Sequence, residues 1–410
     1  MTKYIERIFL PSNTPENSIN INLHGKNLII TGKNGSGKTL LIKSIFSKTE
    51  ILISKKGLIE LPGAERTLKQ LQAALDTKSE AVTEYDLINA IRATKEKVES
   101  INSGIQISIP NHAEYLSRLV SKTSILRMFE AMRTAKINHA ESVHGIDSDK
   151  EKHRSEKIDS NFGSNLEQHL VNLKIRRLLA EKEGDNDELL KKIDSWFILF
   201  EQNLAELMED PSTRLVFDSN KLKFKISQRG KVPYTFQTLS SGYSSILDVY
   251  ADLMMRTEYF ETTPKDLTGV VFIDEIDAHL HVSLQRLIFP FFEKSFPNVQ
   301  FIVTTHSPFV LMSVNDAVIY DRSRNAQIDE DLSLYSYSAV MEGILGTKPT
   351  SRLLDDLILE ISNISNSQDR NYSRLKELLD QIHPLEDKLD VKSKAFYLTG
   401  KNALLDKEEE

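Results

Sequence analysis

Gly32-Lys33-Asn34-Gly35-Ser36-Gly37-Lys38-Thr39 fits the pattern G-x-x-x-x-G-K-[ST], and its flanks matter as much as the match. The apolar run Leu28-Ile29-Ile30 reads as a buried strand feeding the glycine-rich turn. Leu40, Leu41, Ile45 and Phe46 give the next segment a helical period. Strand, glycine-rich turn and helix N-terminus together make a phosphate cradle. Glycines let backbone N–H groups curl around anionic oxygens, and the helix dipole adds positive potential there. Gly32, Asn34, Gly35, Ser36 and Gly37 are the expected cradle. Lys38 is expected to reach the β- and γ-phosphates of ATP, and the Thr39 hydroxyl to ligate Mg2+.

A second stretch supplies the acids. Gly269-Val270-Val271-Phe272-Ile273-Asp274-Glu275 is a continuous apolar run ending in two carboxylates, as a strand buried on both faces of a parallel sheet requires. Ligands of open α/β sheets bind at the carboxyl ends of the strands. Asp274 is therefore expected to hold Mg2+, directly or through water, and Glu275 to polarise an attacking water. Phe301-Ile302-Val303-Thr304-Thr305-His306-Ser307-Pro308 is another buried strand, ending in a histidine. A lone histidine at a strand end is more often structural. One helix after the Asp–Glu strand, His306 is instead expected beside the γ-phosphate, where a neutral imidazole donates or orients water. Between these halves, Leu239-Ser240-Ser241-Gly242-Tyr243 opens a helix. By residue type alone it is either an anion site or an ordinary serine N-cap.

Composition limits the alternatives. With 410 residues and 40% hydrophobic content the chain has material for a sizeable core, alone or with an insertion. A net charge of −7 excludes a globally basic nucleic-acid footprint. The absence of cysteine removes disulfides, zinc–thiolate sites and thiol nucleophiles. The first residues lack a signal-peptide core, and nowhere do about eighteen apolar residues run together. The expectation is a cytoplasmic protein with no membrane partner.

Along the chain, strands are expected at 4–10 and 19–23 around a turn at Pro11-Ser12-Asn13 and Pro15, and helices at 66–76 and 83–100. Ile105–Ile109 alternates like a strand, 113–121 reads as a helix and Ile125–Phe129 as a strand. His139–Asp159 has no hydrophobic period and reads as a loose connection. Two helices follow, separated by a break at Gly184-Asp185-Asn186-Asp187; the Trp196, Phe197 and Phe200 stripe reads as core of their hairpin. Leu215–Phe217 and Leu222–Ile226 suggest a β-hairpin, and strands and helices then alternate to Asp321 as in a parallel sheet. Beyond residue 350 the chain is helical, ending in the charged run Asp406–Glu410, read as a solvated tail.

GKNGSGKT, LSSGY, VVFIDE and TTHSP in this order resemble the ABC-type ATPase superfamily, in outline over residues 1–330. DEIDAHLH (Asp274–His281) and TTHSP look like its RecF, SMC and OLD-type branch; Tyr243 and Ile276-Asp277-Ala278 depart from transporter cassettes. The helical interruption and Phe129-Glu130-Ala131-Met132-Arg133 are similar to ATPase subunits of bacterial anti-phage systems, such as the Septu protein PtuA, retron-associated ATPases and the AriA component of PARIS. No Q-loop glutamine can be assigned.

The resemblance implies an α/β head with a P-loop parallel sheet and an antiparallel part. Residues 1–138 and 213–330 would form the head, 139–212 a helical arm or lid, and 331–410 a helical C-terminal region. It implies ATP sandwiched between two heads, with Lys38, Thr39, Asp274, Glu275 and His306 acting in cis. Ser240, Ser241 and Gly242 would act in trans, with Asp277 and His281 at the contact between heads. The expected function is Mg2+-dependent ATP hydrolysis in an anti-phage complex. The protein would form a homodimer or higher oligomer controlling a separate nuclease or toxin, with no nuclease activity of its own. The alternative is a RecF-like DNA repair clamp. Lys174, Arg176, Arg177, Lys182, Lys191 and Lys192 leave nucleic acid open as a partner, although charge on an exposed helix pair is usually solvation.

Overall fold

The computed structural model describes residues 4–12, 14, 17–54, 60–76, 84–102, 104–133, 136–154, 156, 160–184, 187–314, 316–348, 350–367 and 371–409. The chain divides into two units, Met1–Tyr337 and Ser338–Glu410. In chain order the first unit begins with β1 (Arg7–Leu10), β2 (Ile19–Asn22), β3 (Asn27–Thr31), α1 (Lys38–Ile53), α2 (Leu61–Asp76), α3 (Glu84–Asn102), β4 (Gln106–Ser108), α4 (His112–Val120) and β5 (Ser124–Phe129). Then come α5 (Ile146–Arg154), α6 (Leu166–Glu183), α7 (Asp187–Leu207), β6 (Arg214–Asp218), β7 (Lys223–Ser227) and α8 (Ser241–Tyr259). It closes with β8 (Thr268–Ile273), α9 (Val282–Ser295), β9 (Val299–Thr304), α10 (Pro308–Met312), β10 (Ala317–Asp321) and β11 (Ala326–Ile328).

The main sheet has the order β11-β10-β3-β9-β8-β5, parallel throughout except for the antiparallel edge strand β11. Its inner strands are covered on both faces, which is why β3, β8 and β9 carry almost unbroken apolar runs rather than alternation. On one face lies α1, whose Leu41, Ile42 and Ile45 share a core with Leu28, Ile30, Phe272 and Ile302 of the sheet. That core extends to Ile8 and Ile21 of a second, antiparallel sheet ordered β2-β1-β4. Elsewhere in this unit Phe292 of α9 stacks on Phe301 of β9, and Tyr250 of α8 meets Phe291 edge-on. Pairing of β5 with β8 demands glycine at one point. At Gly269 φ is +130°, and an added Cβ would fall 2.0 Å from the Ile125 carbonyl oxygen.

The helical hairpin α6–α7 is anchored by the aromatic stripe. Trp196 stacks on Phe200, Phe200 on Tyr250 of α8, and Phe197 on Phe224 of β7. The stripe is thus core, but core shared with α8 and β7 rather than confined to the hairpin. Gly184, at φ +71°, caps α6 by donating to the Ala180 carbonyl; Asp185 and Asn186 lie outside the described residues. Asn13, Pro15, Thr83, Asp159 and the side chains of Asp406–Glu410 also lie outside them.

One expectation is corrected. The stretch from His139 is not a loose connection throughout, because residues Ile146–Arg154 form α5. Its buried face is polar: Asp149 and His153 point inward, and His153 stacks on Tyr259 with its Nδ1 2.7 Å from Glu156 Oε1. A helix whose inner face is made of paired polar groups leaves no hydrophobic period to read.

The second unit includes α11 from Ser338 onward (Tyr337–Gly343), α12 (Arg352–Asn366), α13 (Tyr372–Ile382) and α14 (Val391–Glu409). The last three share a core of Ile361, Leu375, Leu378 and Tyr397. Gly400 allows close approach, since a Cβ there would lie 2.7 Å from Ile361 Cγ2.

Replacing Gly269 by alanine should destabilise the first unit by about 3 kcal/mol, through overpacking and backbone strain together. Chemical denaturation would measure it; a loss below about 1 kcal/mol would mean that β5 does not pair with β8 as described.

Candidate nucleotide-binding site

The parallel register brings the sequence-distant segments to one end of the sheet. β3 leads into the loop 32–39, β8 into Asp274-Glu275, and β9 into Thr304-Thr305-His306. In the loop, Gly32, Gly35 and Gly37 take φ values of +137°, +76° and +87°, where other L-residues are strained. At Gly32 space matters as well: a Cβ would meet Ser323 Oγ at 2.8 Å, the hydroxyl that accepts from Lys33 N at 2.6 Å. The first helical bond of α1 runs from Leu41 N to Gly37 O, so the N–H groups of Lys38, Thr39 and Leu40 precede any acceptor within the helix. Ser36 Oγ is buried without a hydrogen-bond partner. Asn34 is exposed.

Lys38 is 5% exposed and donates to the carbonyls of Gly32 and Lys33 at 3.0 and 3.1 Å. Burial lowers its pKa, while the carboxylates of Glu275, Asp274, Asp277 and Asp321 oppose that shift. Asp274 Oδ1 accepts from Thr304 Oγ1 at 2.6 Å and from Thr39 Oγ1 at 3.3 Å. A hydroxyl and a carboxylate at that separation are an oxygen pair suited to Mg2+. Together with the unpaired Ser36 hydroxyl and the free N–H groups, they fit a magnesium-bound triphosphate.

Glu275 is half-buried and left-handed, at φ +47°. Its backbone is clamped from two sides. Thr304 Oγ1 accepts from Glu275 N at 2.7 Å, and the Arg133 guanidinium donates to the carbonyls of Asp274, Glu275 and Ile276 at 2.7, 3.1 and 3.2 Å. Burial pushes the Arg133 pKa down to about 10, which leaves it charged at neutral pH. His306 is half-buried; burial first, and the Lys38 cation next, lower its pKa. Thr305 Oγ1 donates to Asp277 Oδ1 at 2.6 Å, which binds the turn after β8 to the end of β9.

Ser240, Ser241 and Gly242 sit apart from this group. Ser240 and Ser241 are exposed at the start of α8, and Ser240 makes no side-chain capping bond. No hydrogen bond among the described residues joins Ser240, Ser241 or Gly242 to the loop 32–39. Gly242 is buried against the turn after Asp274, where a Cβ would lie 2.8 Å from the His279 carbonyl oxygen. His281 caps α9, its Nδ1 accepting from Ser283 N. Sequence reasoning gave no role to Thr304, Ser323 or Asp321 and touched Arg133 only through a motif. The contacts that place two of them are distant in the chain: Thr304 meets Glu275 29 residues away, and Ser323 meets Lys33 290 residues away. The run Thr304-Thr305 after an apolar strand is the one local signal for the first of them.

Residues 130–313 match the family model described as "AAA domain, putative AbiEii toxin, Type IV TA system", a segment that holds Arg133, Ser240, Ser241, Gly242, Asp274, Glu275 and His306. The chain is 34% identical over 154 residues to "Retron Ec83 probable ATPase" of Escherichia coli, covering 35% of this chain and 28% of that protein. It is 32% identical over 167 residues to "Septu protein PtuA" of Bacillus mycoides (strain KBAB4), covering 37% and 23%. The matched segments thus span about a quarter of these relatives. Among solved structures it is similar to "SMC head domain from Thermotoga maritima", at 11% identity and TM-score 0.34, over 79% of this chain and 97% of that one. Over the matched segments the chain is similar to a probable retron ATPase and to a Septu protein, and the sheet order and site geometry are those of an α/β fold with a phosphate-binding loop. Among the described residues no helix is long and apolar enough to cross a membrane.

With its pKa lowered in the folded state, His306 should remain neutral at pH 7 and titrate below its unfolded value. Its contribution to stability is then complete above that unfolded value and is lost as pH falls on through the lower folded value. Lys38→Met should raise the His306 pKa, as followed by its ring-proton NMR signal. An unchanged or lower value would separate the two side chains.

Proposed function

We propose that this protein binds ATP with Mg2+, hydrolyses it, and closes as a head-to-head dimer or higher oligomer around it. The supporting observation is the convergence of Lys38, Thr39, Asp274, Glu275 and His306 at one end of the sheet. Bound Mg2+ would neutralise charge developing on the phosphoryl oxygens. Gly32, Asn34, Gly35, Ser36 and Gly37 cradle the phosphates, Lys38 neutralises them, and Thr39 and Asp274 hold the metal. Glu275 accepts a proton from water, in the orientation fixed by Arg133 and Thr304. Neutral His306 donates toward the γ-phosphate.

The exposure of Ser240 and Ser241, away from the loop of their own chain, supports a role in trans with Gly242. ATP then acts as a two-state clamp, closed when bound and open after hydrolysis. The names of the retron and Septu relatives support a place in a cytoplasmic anti-phage complex. There the clamp would control a separately encoded nuclease or toxin, with no nuclease activity in this chain.

Three substitutions test the reading. Lys38→Ala should weaken ATP binding by about 100-fold, as loss of charged hydrogen bonds implies. Glu275→Gln should lower kcat by about 10²–10⁴-fold and trap an ATP-bound dimer visible by light scattering. A monomer at saturating ATP would refute the clamp. Ser241→Arg should block dimerisation while single-head affinity stays nearly intact; equal loss of both would refute the role in trans.

A further inference from the structure

Glu167, in the first turn of α6, is fully buried. A carboxylate so placed is costly unless donors collect around it, and here they come from three separate segments. Oε1 accepts from Phe224 N of β7 at 3.1 Å, Oε2 accepts from Gln237 Nε2 at 2.7 Å, and His139 Nδ1 lies 3.2 Å from Oε2. The start of the helix adds positive potential. A glutamine at 167 would offer one acceptor oxygen where three donors converge. Gln237 Nε2 also donates to the Ile137 carbonyl at 3.1 Å.

Gln237 stands three residues before Ser240, in a turn closed from both ends. Thr238 Oγ1 accepts from Thr235 N at 3.1 Å, and Thr238 N donates to the Thr235 carbonyl at 3.1 Å. Helix α8 begins directly afterwards, with Ser244 N bonded to the Ser240 carbonyl at 2.9 Å. Ser240 itself makes no side-chain capping bond. A carboxylate of α6 therefore grips the turn that delivers the chain into α8.

We propose that Glu167 is a positioning residue: through Gln237, it lets the α6–α7 hairpin set how Ser240 and Ser241 are presented to a second head. The inference rests on the reading above that these serines act in trans. A shift of α6 would then alter head closure without touching the loop 32–39.

Two measurements on the full chain keep the positioning apart from the clamp. Hydrogen–deuterium exchange of amides 236–244 without nucleotide reads the turn itself. Analytical ultracentrifugation of the Glu275→Gln chain with Mg2+-ATP reads head closure. Gln237→Glu, at an exposed position, sets two carboxylates against each other. It should speed that exchange and weaken ATP-dependent dimerisation, each by about 10-fold, as loss of one charge-assisted hydrogen bond implies. ATP affinity of the single head should be unchanged. Adding Glu167→Gln restores an amide–carboxylate pair with the roles reversed, and should recover at least half of both losses. Ile193→Ala, which loosens the same hairpin away from Glu167, should lower the melting temperature and leave both readouts unaltered. Unchanged exchange or dimerisation in Gln237→Glu, no recovery in the double variant, or equal losses in Ile193→Ala would overturn the proposal. Faster exchange with recovery, but no ATP-dependent dimer of the Glu275→Gln chain, would refute the clamp and leave the hold of Glu167 on the turn standing.

Discussion

Asp274 is a buried carboxylate that fastens three neighbouring strands and the phosphate loop to one point. Its N–H donates to Phe129 at the end of β5, its Oδ1 accepts from Thr304 at the end of β9, and Thr39 of α1 lies 3.3 Å away. At 2% exposure such a group is costly to bury unless it is fully engaged. The surrounding cations meet that need: Lys38 lies within electrostatic reach, and Arg133 grips the carbonyl of the same residue. A substitution that loosens Asp274 loosens the junction of β5, β8, β9 and α1 as well as the oxygen pair it makes with Thr39.

The same junction sets the conformation of Glu275. Left-handed backbone at a glutamate is uncommon and is held by its surroundings. Arg133 and Thr304 supply that hold by bonding three successive carbonyls and one N–H. His279, also left-handed at φ +63°, ends the turn against Gly242. The turn after β8 thus holds Glu275 at one end and meets the start of α8 at the other. The turn is therefore one physical connection between the Glu275 backbone and the start of α8.

The parts legible in the sequence were those whose cause is local. Glycines at 32, 35 and 37 mark backbone that only glycine adopts readily, and the runs of β3, β8 and β9 mark strands buried on both faces. Those features fixed the parallel sheet and put Lys38, Thr39 and Asp274 at its carboxyl end. What escaped reading depends on partners far away in the chain. Ser323 matters only because the chain returns along β10 beside β3, and Arg133 only because β5 pairs with β8. Helix α5 escaped because its inward residues are Asp149 and His153, which look like solvent-facing polarity until their neighbours are known. The aromatic stripe of α7 was read correctly as core, while its reach to Tyr250 and Phe224 was not visible from periodicity.

The central claim is that Thr39 and Asp274 hold one divalent ion against the phosphates of a bound nucleotide. Electron paramagnetic resonance of Mn2+ with ATP on the full chain tests it most directly. The account predicts one tightly bound Mn2+ per chain with phosphorus hyperfine coupling, lost on Asp274→Asn and weakened on Thr39→Val. Phosphorus-coupled Mn2+ that survives both substitutions unchanged would contradict it.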